Sequence, residues 1–267
     1  MNFTINKKLN EQLEEVAEIA GYLWEKGWAE RNAGNISINI SDIIGDENKS
    51  LTALSTYTLP RNMSELSGNF FYVTGTGKRM RDVAKDPLRQ GSIVRVSSDG
   101  NSYDVIAESD IKPTSELPSH FSIHASFKKK GSKNKLVLHT HPTDLVALSH
   151  VPELKTSEAI NNLLWGMHPE TFIVVPRGIG LVPYEIPGTL DLADASLHLL
   201  EKHDMILWEK HGVLAVGENL SDTFDLIDTL SKSAQIYAFA KSSGHNPEGL
   251  SKEQIKGLIK PFGIILK

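Results

Sequence analysis

Cysteine is absent from the 267 residues of the chain. This excludes disulfide bonds and thiolate chemistry, and any metal must be held by His, Asp or Glu. Long apolar runs are also absent, because no segment approaches the roughly 18 consecutive apolar residues of a membrane span. The first residues, MNFTINKKLNEQLEEV, lack the apolar centre of a signal peptide. We therefore expect a soluble, cytoplasmic protein without a membrane partner.

An excess of positive charge is missing as well. The net charge is −5 and the pI is about 6.1, whereas nucleic-acid binding would need a basic face. The short basic cluster at 127–135 lies beside Gly and Asn, which favours a solvated loop. With no internal repeat and no clear linker, we predict one domain over residues 1–267, with a surface insertion at 41–69.

Hydrophobic periodicity predicts both helices and strands. Residues 13–24 carry apolar side chains at helical spacing, whereas residues 36–40 alternate as in a strand. Two hairpins are predicted, at 92–107 and at 205–219, and hairpins imply antiparallel pairing. The fold class is therefore α/β, with a central mixed, largely antiparallel sheet covered by helices, rather than a doubly wound parallel sheet.

Several local boundaries are also predicted. Residues 171–184 resemble a strand, a Pro/Gly turn and a second strand. Ser115 and Ser221 are candidate N-caps of the helices that follow them. Ser251 with Gln254 forms a capping box at the last helix.

A pair of histidines follows the apolar run LVL at 136–138. In a strand, residues i and i+2 point to the same face, so His139 and His141 could reach one ion. An isolated His-x-His is more often a polar strand end. His211 would change that balance, because it lies in a hairpin turn where Gly212 allows close backbone approach. Three neutral imidazoles would leave zinc an open position, as in catalytic sites.

Other histidines have simpler interpretations. His120 and His124 are four residues apart on one helix face, but the glutamate of the H-E-x-x-H motif is absent, so we interpret them as structural. Glu116 is an acid at the start of the same helix. It is a candidate proton-transfer group, although a first-turn acid favoured by the helix dipole is about equally consistent.

Two glycine-containing turns, NAGN at 32–35 and TGTG at 74–77, could present backbone donors to a phosphate. The second turn matches neither a Walker A loop nor GxGxxG. As isolated turns, both remain weak signals.

The ordered set of segments KGWAERNAGNIS, FYVTGTGK, PTSELPSHFSIH, LHTHPT, WEKHGV and DTFDLIDTLSKSAQ resembles the class II, zinc-dependent aldolases of the adducin-head superfamily over nearly the whole chain. The resemblance implies a three-layer class II aldolase fold and one zinc ion per subunit. It also implies a homotetramer, in which Glu170 is the position that matches an assisting acid from a neighbouring chain.

The same resemblance implies specific roles. The metal ligands would be His139, His141 and His211, and Glu116 would be the catalytic acid/base. The substrate phosphate would be held by neutral donors in loops, namely Asn32, Gly34, Asn35, Thr76, Gly77, Thr114 and Ser115. Ala33 and Thr76 depart from the residues most common at their positions, Gly and Ser.

Within the superfamily, the segments and the 41–69 insertion best match the branch that cleaves L-rhamnulose 1-phosphate reversibly to dihydroxyacetone phosphate and L-lactaldehyde, a step of L-rhamnose catabolism. The alternatives are a sister enzyme, such as a fuculose-phosphate aldolase or a pentulose-phosphate 4-epimerase, and a non-catalytic assembly module. The last predicts loss of the histidines or the glutamate, and all four are present.

Overall fold

The computed structural model describes residues 3–107 and 109–265. Nine short strands, four of them buried at every residue, form a single sheet through the middle of these ranges. They are β1 (Asn35–Asn39), β2 (Ser55–Thr58), β3 (Phe70–Thr74), β4 (Gly91–Val96), β5 (Ser102–Val105), β6 (Leu136–Thr140), β7 (Ile179–Val182), β8 (Met205–Trp208) and β9 (Gly212–Gly217).

The strand order is β2-β5-β4-β3-β1-β6-β9-β8-β7. Only β7 and β8 are parallel, and all other neighbouring pairs are antiparallel. The predicted mixed, largely antiparallel sheet is therefore confirmed.

Helices lie on both faces of this sheet. They are α1 (Lys7–Glu25), α2 (Asp46–Lys49), α3 (Met80–Val83), α4 (Pro87–Gln90), α5 (Leu117–Lys130), α6 (Thr143–Leu148), α7 (Ser157–Met167), α8 (Pro169–Val174), α9 (Leu190–Leu199), α10 (Leu220–Ser242) and α11 (Lys252–Ile259). Among the described residues, no helix is long and apolar enough to span a membrane.

The period of two along each strand divides the core between the two faces. In β6, Leu136 and Leu138 pack in a cluster with α1, α7 and α10, whereas Val137 packs on the opposite face with α5 and α9. The result is the predicted three-layer arrangement. His139 continues the side of Val137, so its side chain lies on the same face as α5.

The segment 41–69 includes α2, the edge strand β2 and a 3-10 turn at Ser64–Leu66. It buries apolar side chains as well as exposing polar ones, and Ile44, Met63 and Leu66 are each at most 2 % exposed. This segment therefore contributes to the core beside the first strands.

One predicted strand is a helix. The apolar run at 171–174 belongs to α8, where Pro169 occupies the first turn and Thr171 is hydrogen-bonded to Ser233 of α10. Short apolar runs do not distinguish a buried helix from a strand. Proline with its fixed φ at the helix start, together with packing on α10, decides for the helix.

Two predicted caps are also wrong, whereas the capping box at Ser251 and Gln254 is confirmed. The N-cap of α5 is Glu116, not Ser115. The N-cap of α10 is Asn219, not Ser221, because the Asn219 side chain accepts a hydrogen bond from Asp222 N.

Candidate active site

Histidines from two strand ends meet beside the N-cap of α5. His139 is the penultimate residue of β6, His141 comes directly after the end of that strand, and His211 lies in the turn between β8 and β9. Their ring centroids are 4.9, 4.9 and 5.2 Å apart. One ligand atom from each ring lies within 4.8 Å of the others, so the three side chains could hold a single metal ion.

Hydrogen bonds orient two of these rings. His139 Nδ1 lies 2.9 Å from the carbonyl of Val213, and His141 Nδ1 lies 2.9 Å from Glu30 Oε1. Both partners are acceptors, so each Nδ1 carries the proton and each Nε2 carries a lone pair. The two Nε2 atoms are 3.1 Å apart. Two lone pairs at that distance repel each other unless a cation lies between them, so the donor set fits a divalent metal.

Gly212 permits this close approach. A Cβ atom at this position would lie 2.6 Å from His141 Cδ2 and 2.8 Å from His139 Cε1. Trp208 supports the rings from the sheet, stacking on His211 at a centroid distance of 5.1 Å. The turn and its neighbouring strand therefore leave room for imidazole rings but not for another side chain.

Glu116 faces the same point. Its Oε2 lies 3.4 Å from His139 Nε2, and its Oε1 lies 3.3 Å from His211 Nε2. Asn35 Nδ2 donates a hydrogen bond of 2.7 Å to Glu116 Oε2. Asn35 and His139 are register partners of β1 and β6, which places both side chains on the α5 side of the sheet.

Burial shapes the ionisation of these groups. Desolvation raises the pKa of Glu116, and the hydrogen bond from Asn35 opposes this shift only in part. Desolvation, with repulsion from the other two histidines, holds the pKa of His139 well below its usual range. Burial likewise lowers the pKa of His211 to about 4. Neutral imidazoles are the form that binds metal.

A cavity of about 170 Å³ opens onto these side chains. It is lined by Asn32, Ala33, Gly34, Asn35, Gly75, Thr76, Gly77, Thr114, Ser115, Glu116, His139, His141 and His211. Every predicted site residue except Glu170 is in this lining. Within the described ranges the lining contains neither Lys nor Arg, so an anionic substrate would meet neutral donors and histidines there.

The loops of this cavity are joined by backbone hydrogen bonds. Thr76 N donates to Lys112 O at 2.8 Å, and Thr114 N donates to Thr74 O at 2.9 Å. Thr114 Oγ1 also accepts from Glu116 N at 3.3 Å. These contacts connect the TGTG turn to the segment that leads into α5.

Glu170 lies elsewhere. It is in the first turn of α8, its side chain is 59 % exposed, and His168 Nδ1 lies 3.2 Å from its Oε2. The structure does not bring it into the cavity of its own chain.

Two residues of this site escaped prediction. Glu30 holds His141, and Trp208 packs on His211. Glu30 could have been noticed in the sequence, because it is an acid two residues before the NAGN turn. The contact of Trp208 depends on the hairpin geometry and has no local signal.

Comparison with known proteins identifies relatives over almost the whole chain. The family described as Class II Aldolase and Adducin N-terminal domain matches residues 14–238. A rhamnulose-1-phosphate aldolase of Bacteroides thetaiotaomicron is 44 % identical over 96 % of each chain. Another, of Shigella boydii, is 37 % identical over 90 % of this chain and 89 % of the relative. A solved sugar-phosphate aldolase of Thermotoga maritima superposes with a TM-score of 0.78 at 32 % identity, over 90 % of this chain and 99 % of the other.

Proposed function

The chain belongs to the class II aldolase and adducin family, and from this membership we propose that it is a metal-dependent aldehyde-lyase that reversibly cleaves L-rhamnulose 1-phosphate to dihydroxyacetone phosphate and L-lactaldehyde. The named relatives at 44 % and 37 % identity support this substrate over those of sister enzymes. The observation that carries the proposal is the meeting of one buried carboxyl group and three histidines in a cavity lined by neutral donors.

We propose that zinc is the metal and that His139, His141 and His211 hold it, one ion per subunit. Three imidazoles without a thiolate are a ligand set typical of catalytic zinc. A bound ion would supply Lewis-acid stabilisation for the negative charge that cleavage leaves on the ketose oxygens.

Glu116 is assigned as the acid/base. When the C–C bond breaks, the hydroxyl group on the carbon that becomes the aldehyde loses its proton, and the electron pair of the bond stays on the fragment that carries the phosphate. The carbon that keeps the pair then takes up a proton, so the net change is the transfer of one proton between the two fragments. A carboxyl group with a raised pKa retains a proton more readily near neutral pH and can deliver it. In the synthetic direction the same group removes the proton. Its position 3.3–3.4 Å from His139 and His211 keeps it at the edge of the metal site.

The phosphate is assigned to the loops. The NAGN turn, residues 75–77 of the TGTG turn and Ser115 line the cavity and offer hydroxyl, amide and backbone groups. Neutral donors at a fixed spacing would orient the ketose so that its reacting carbon faces Glu116.

The proposal includes a cytoplasmic location and assembly as a homotetramer. The support for the assembly is the resemblance to a homotetrameric family. Glu170 is exposed and is not in the lining of its own cavity, so any role in catalysis would place it in the site of a neighbouring subunit. Light scattering of the purified protein tests the assembly, and a monomer would exclude that role for Glu170.

The decisive assay is dihydroxyacetone phosphate release from a panel of ketose 1-phosphates, with and without chelator. We expect L-rhamnulose 1-phosphate to be cleaved fastest and chelator to abolish turnover. Activity that resists chelator would exclude the metal mechanism, and a preference for L-fuculose 1-phosphate would exclude the substrate.

Glu116→Gln tests the acid/base. It should keep the bound metal and lower kcat by about 10²- to 10⁴-fold, the usual range for a general acid or base. Glu158→Gln is the matched control, because Glu158 is an exposed first-turn acid of α7. Equal activity of the two variants would mean that Glu116 serves only the helix.

A further inference from the structure

A buried row of polar side chains extends away from the candidate active site, between β1 and α5. Asn35 and Ser37 are two apart on one face of β1, and His120 and His124 are four apart on the facing side of α5. The strand period of two and the helical spacing of four bring these side chains into register. All four are at most 6 % exposed.

The contacts form one continuous chain. Glu116 accepts from Asn35, Asn35 Oδ1 is hydrogen-bonded to His120 Nε2, and His120 Nδ1 lies 2.7 Å from Ser37 Oγ. Ser37 Oγ in turn lies 2.8 Å from His124 Nε2. Among the described residues, the hydrogen bonds of the His120 ring go to Asn35 and Ser37 and not to the three histidines that could hold a metal.

The donor and acceptor of each hydrogen bond in this row follow from the contact between Asn35 and Glu116. Asn35 presents its NH₂ group to Glu116 Oε2, so its carbonyl oxygen faces His120. That oxygen needs a donor, so His120 carries its proton on Nε2. The bare Nδ1 then accepts from the Ser37 hydroxyl. Burial lowers the pKa of His120 and His124 to about 3, so both rings are neutral and each carries a single N–H.

We infer that His120 is a positioning residue for Glu116, because its Nε2–H fixes the orientation of the Asn35 amide that holds the catalytic carboxyl group. Without this donor, the Asn35 amide could rotate and turn its oxygen toward Glu116. Two oxygen acceptors would then face each other, and the carboxyl group would move away from the reacting carbon.

The row is a positioning device and not a proton conduit. The amide of Asn35 lies between Glu116 and His120, and it neither gains nor loses a proton near neutral pH. The role of His120 is therefore to select one rotamer of a neighbour, which is a geometric effect on kcat. The inference rests on the proposed aldolase function for its kinetic test only.

Three variants of the full-length, metal-loaded enzyme separate positioning from packing. His120→Gln retains an amide that can reach the place of Nε2 and donate to Asn35. His120→Asn is one methylene shorter, so it can still contact Ser37 but cannot reach Asn35. His124→Asn makes the same truncation one turn further along α5, at a buried histidine that contacts Ser37 but not Asn35.

We expect His120→Asn to lower kcat for L-rhamnulose 1-phosphate by about 10- to 100-fold, the scale of a misplaced catalytic group, with KM within about threefold of wild type. His120→Gln should recover most of that loss. His124→Asn should lower the melting temperature by a similar amount while keeping kcat within about threefold of wild type. Equal kcat losses in His120→Asn and His124→Asn, following the melting temperature, would overturn the inference.

Two further measurements cover other outcomes. If His120→Asn does not fold, Ser37→Ala removes the hydroxyl group that donates to His120 Nδ1 and contacts His124 Nε2, which is one of the two contacts that hold His120 in the tautomer with its proton on Nε2. In this variant kcat should fall with KM unchanged, and an unchanged kcat would contradict the inference. Crystal structures of wild type and His120→Asn test positioning without any assay. The Asn35–Glu116 contact should be lost in the variant, and its retention would refute the role of His120 even if the wild-type enzyme cleaves no ketose phosphate.

Discussion

Gly212 lies where any side chain would collide with two candidate metal ligands, so Gly212→Ala should disrupt the metal site. The added Cβ would lie 2.6 Å from His141 Cδ2, 2.7 Å from Thr140 O and 2.8 Å from His139 Cε1. Gly212 is not among the glycines with positive φ, so alanine meets no backbone strain there. The expected effect comes from the steric clash alone.

The size of the displacement follows from these distances. Ordinary van der Waals contact begins at 3.4 Å, so the two rings would have to move by about 0.6 to 0.8 Å, whereas metal–ligand distances tolerate about 0.2 Å. The new Cβ cannot relieve the clash by moving toward Thr140, because the carbonyl oxygen of Thr140 is part of the β6 backbone and cannot give way. We therefore expect zinc affinity to fall by at least about 10- to 100-fold, the range seen when support of a ligand is lost. Overpacking should also lower the free energy of unfolding by about 1–3 kcal/mol.

The assay is a competition titration with a chromophoric zinc chelator, combined with urea unfolding and dihydroxyacetone phosphate release. Gly21→Ala is the control, because its Cβ would meet only Ala84 Cβ at 3.8 Å, within helix α1. It should keep wild-type affinity and gain up to about 1 kcal/mol of stability. Wild-type zinc affinity and turnover in Gly212→Ala would refute the assignment of these rings as ligands.

Three other expectations follow from the same structure. Glu30→Ala should weaken zinc binding by about 10- to 100-fold, because His141 loses the acceptor that orients it. Glu30→Gln keeps an oxygen acceptor and should lose less affinity. A zinc titration in which Glu30→Ala binds zinc as tightly as the wild type would contradict this role of Glu30. The pKa of His124 is lowered to about 3, so its contribution to stability is complete above pH 6.5 and is lost as the pH falls toward 3. Between pH 3 and pH 6.5, His124→Gln should therefore reduce the slope of unfolding free energy against pH by about 1.4 kcal/mol per pH unit. Urea unfolding with chelator present measures this slope, and an unchanged slope would mean that His124 is not buried as a neutral ring. Asn219→Ala should cost about 1 kcal/mol as the loss of an N-cap, whereas Ser221→Ala should cost less than about 0.5 kcal/mol; the reverse order in urea unfolding would restore Ser221 as the cap.

Much of the fold was predictable because the spacing of apolar residues along the chain follows the helical or the strand period over most elements. The alternation at 36–40 and the turn at Asp99–Gly100 indicated strands and a hairpin, and both are present. The run at 171–174 was predicted wrongly because a threonine followed by only three apolar residues fits either period. Contacts of α8 with α10, about 60 residues away, decided the outcome.

The caps show a related limit. A capping residue is recognised by which side chain bonds to which N–H, and neighbouring polar residues compete for that position. At α5 the N-cap side chain makes no capping bond, because Glu116 turns toward Asn35 and the histidines. At this position the contacts of Glu116 within the site replace the hydrogen bond that an N-cap side chain usually makes.

The sequence by itself determined which chemistry is available and part of its geometry. Without cysteine, the metal ligands had to be nitrogen or oxygen, and strand periodicity alone placed His139 and His141 on one face. Tertiary structure decided the rest. His211 and Glu116 reach that face only through the antiparallel pairing of β9 with β6 and the packing of α5 on the sheet. The same packing converts His120 from an ordinary buried histidine into a neighbour of Asn35. Contacts between residues 70 to 85 positions apart depend on register and layer order, which no local period of the chain specifies.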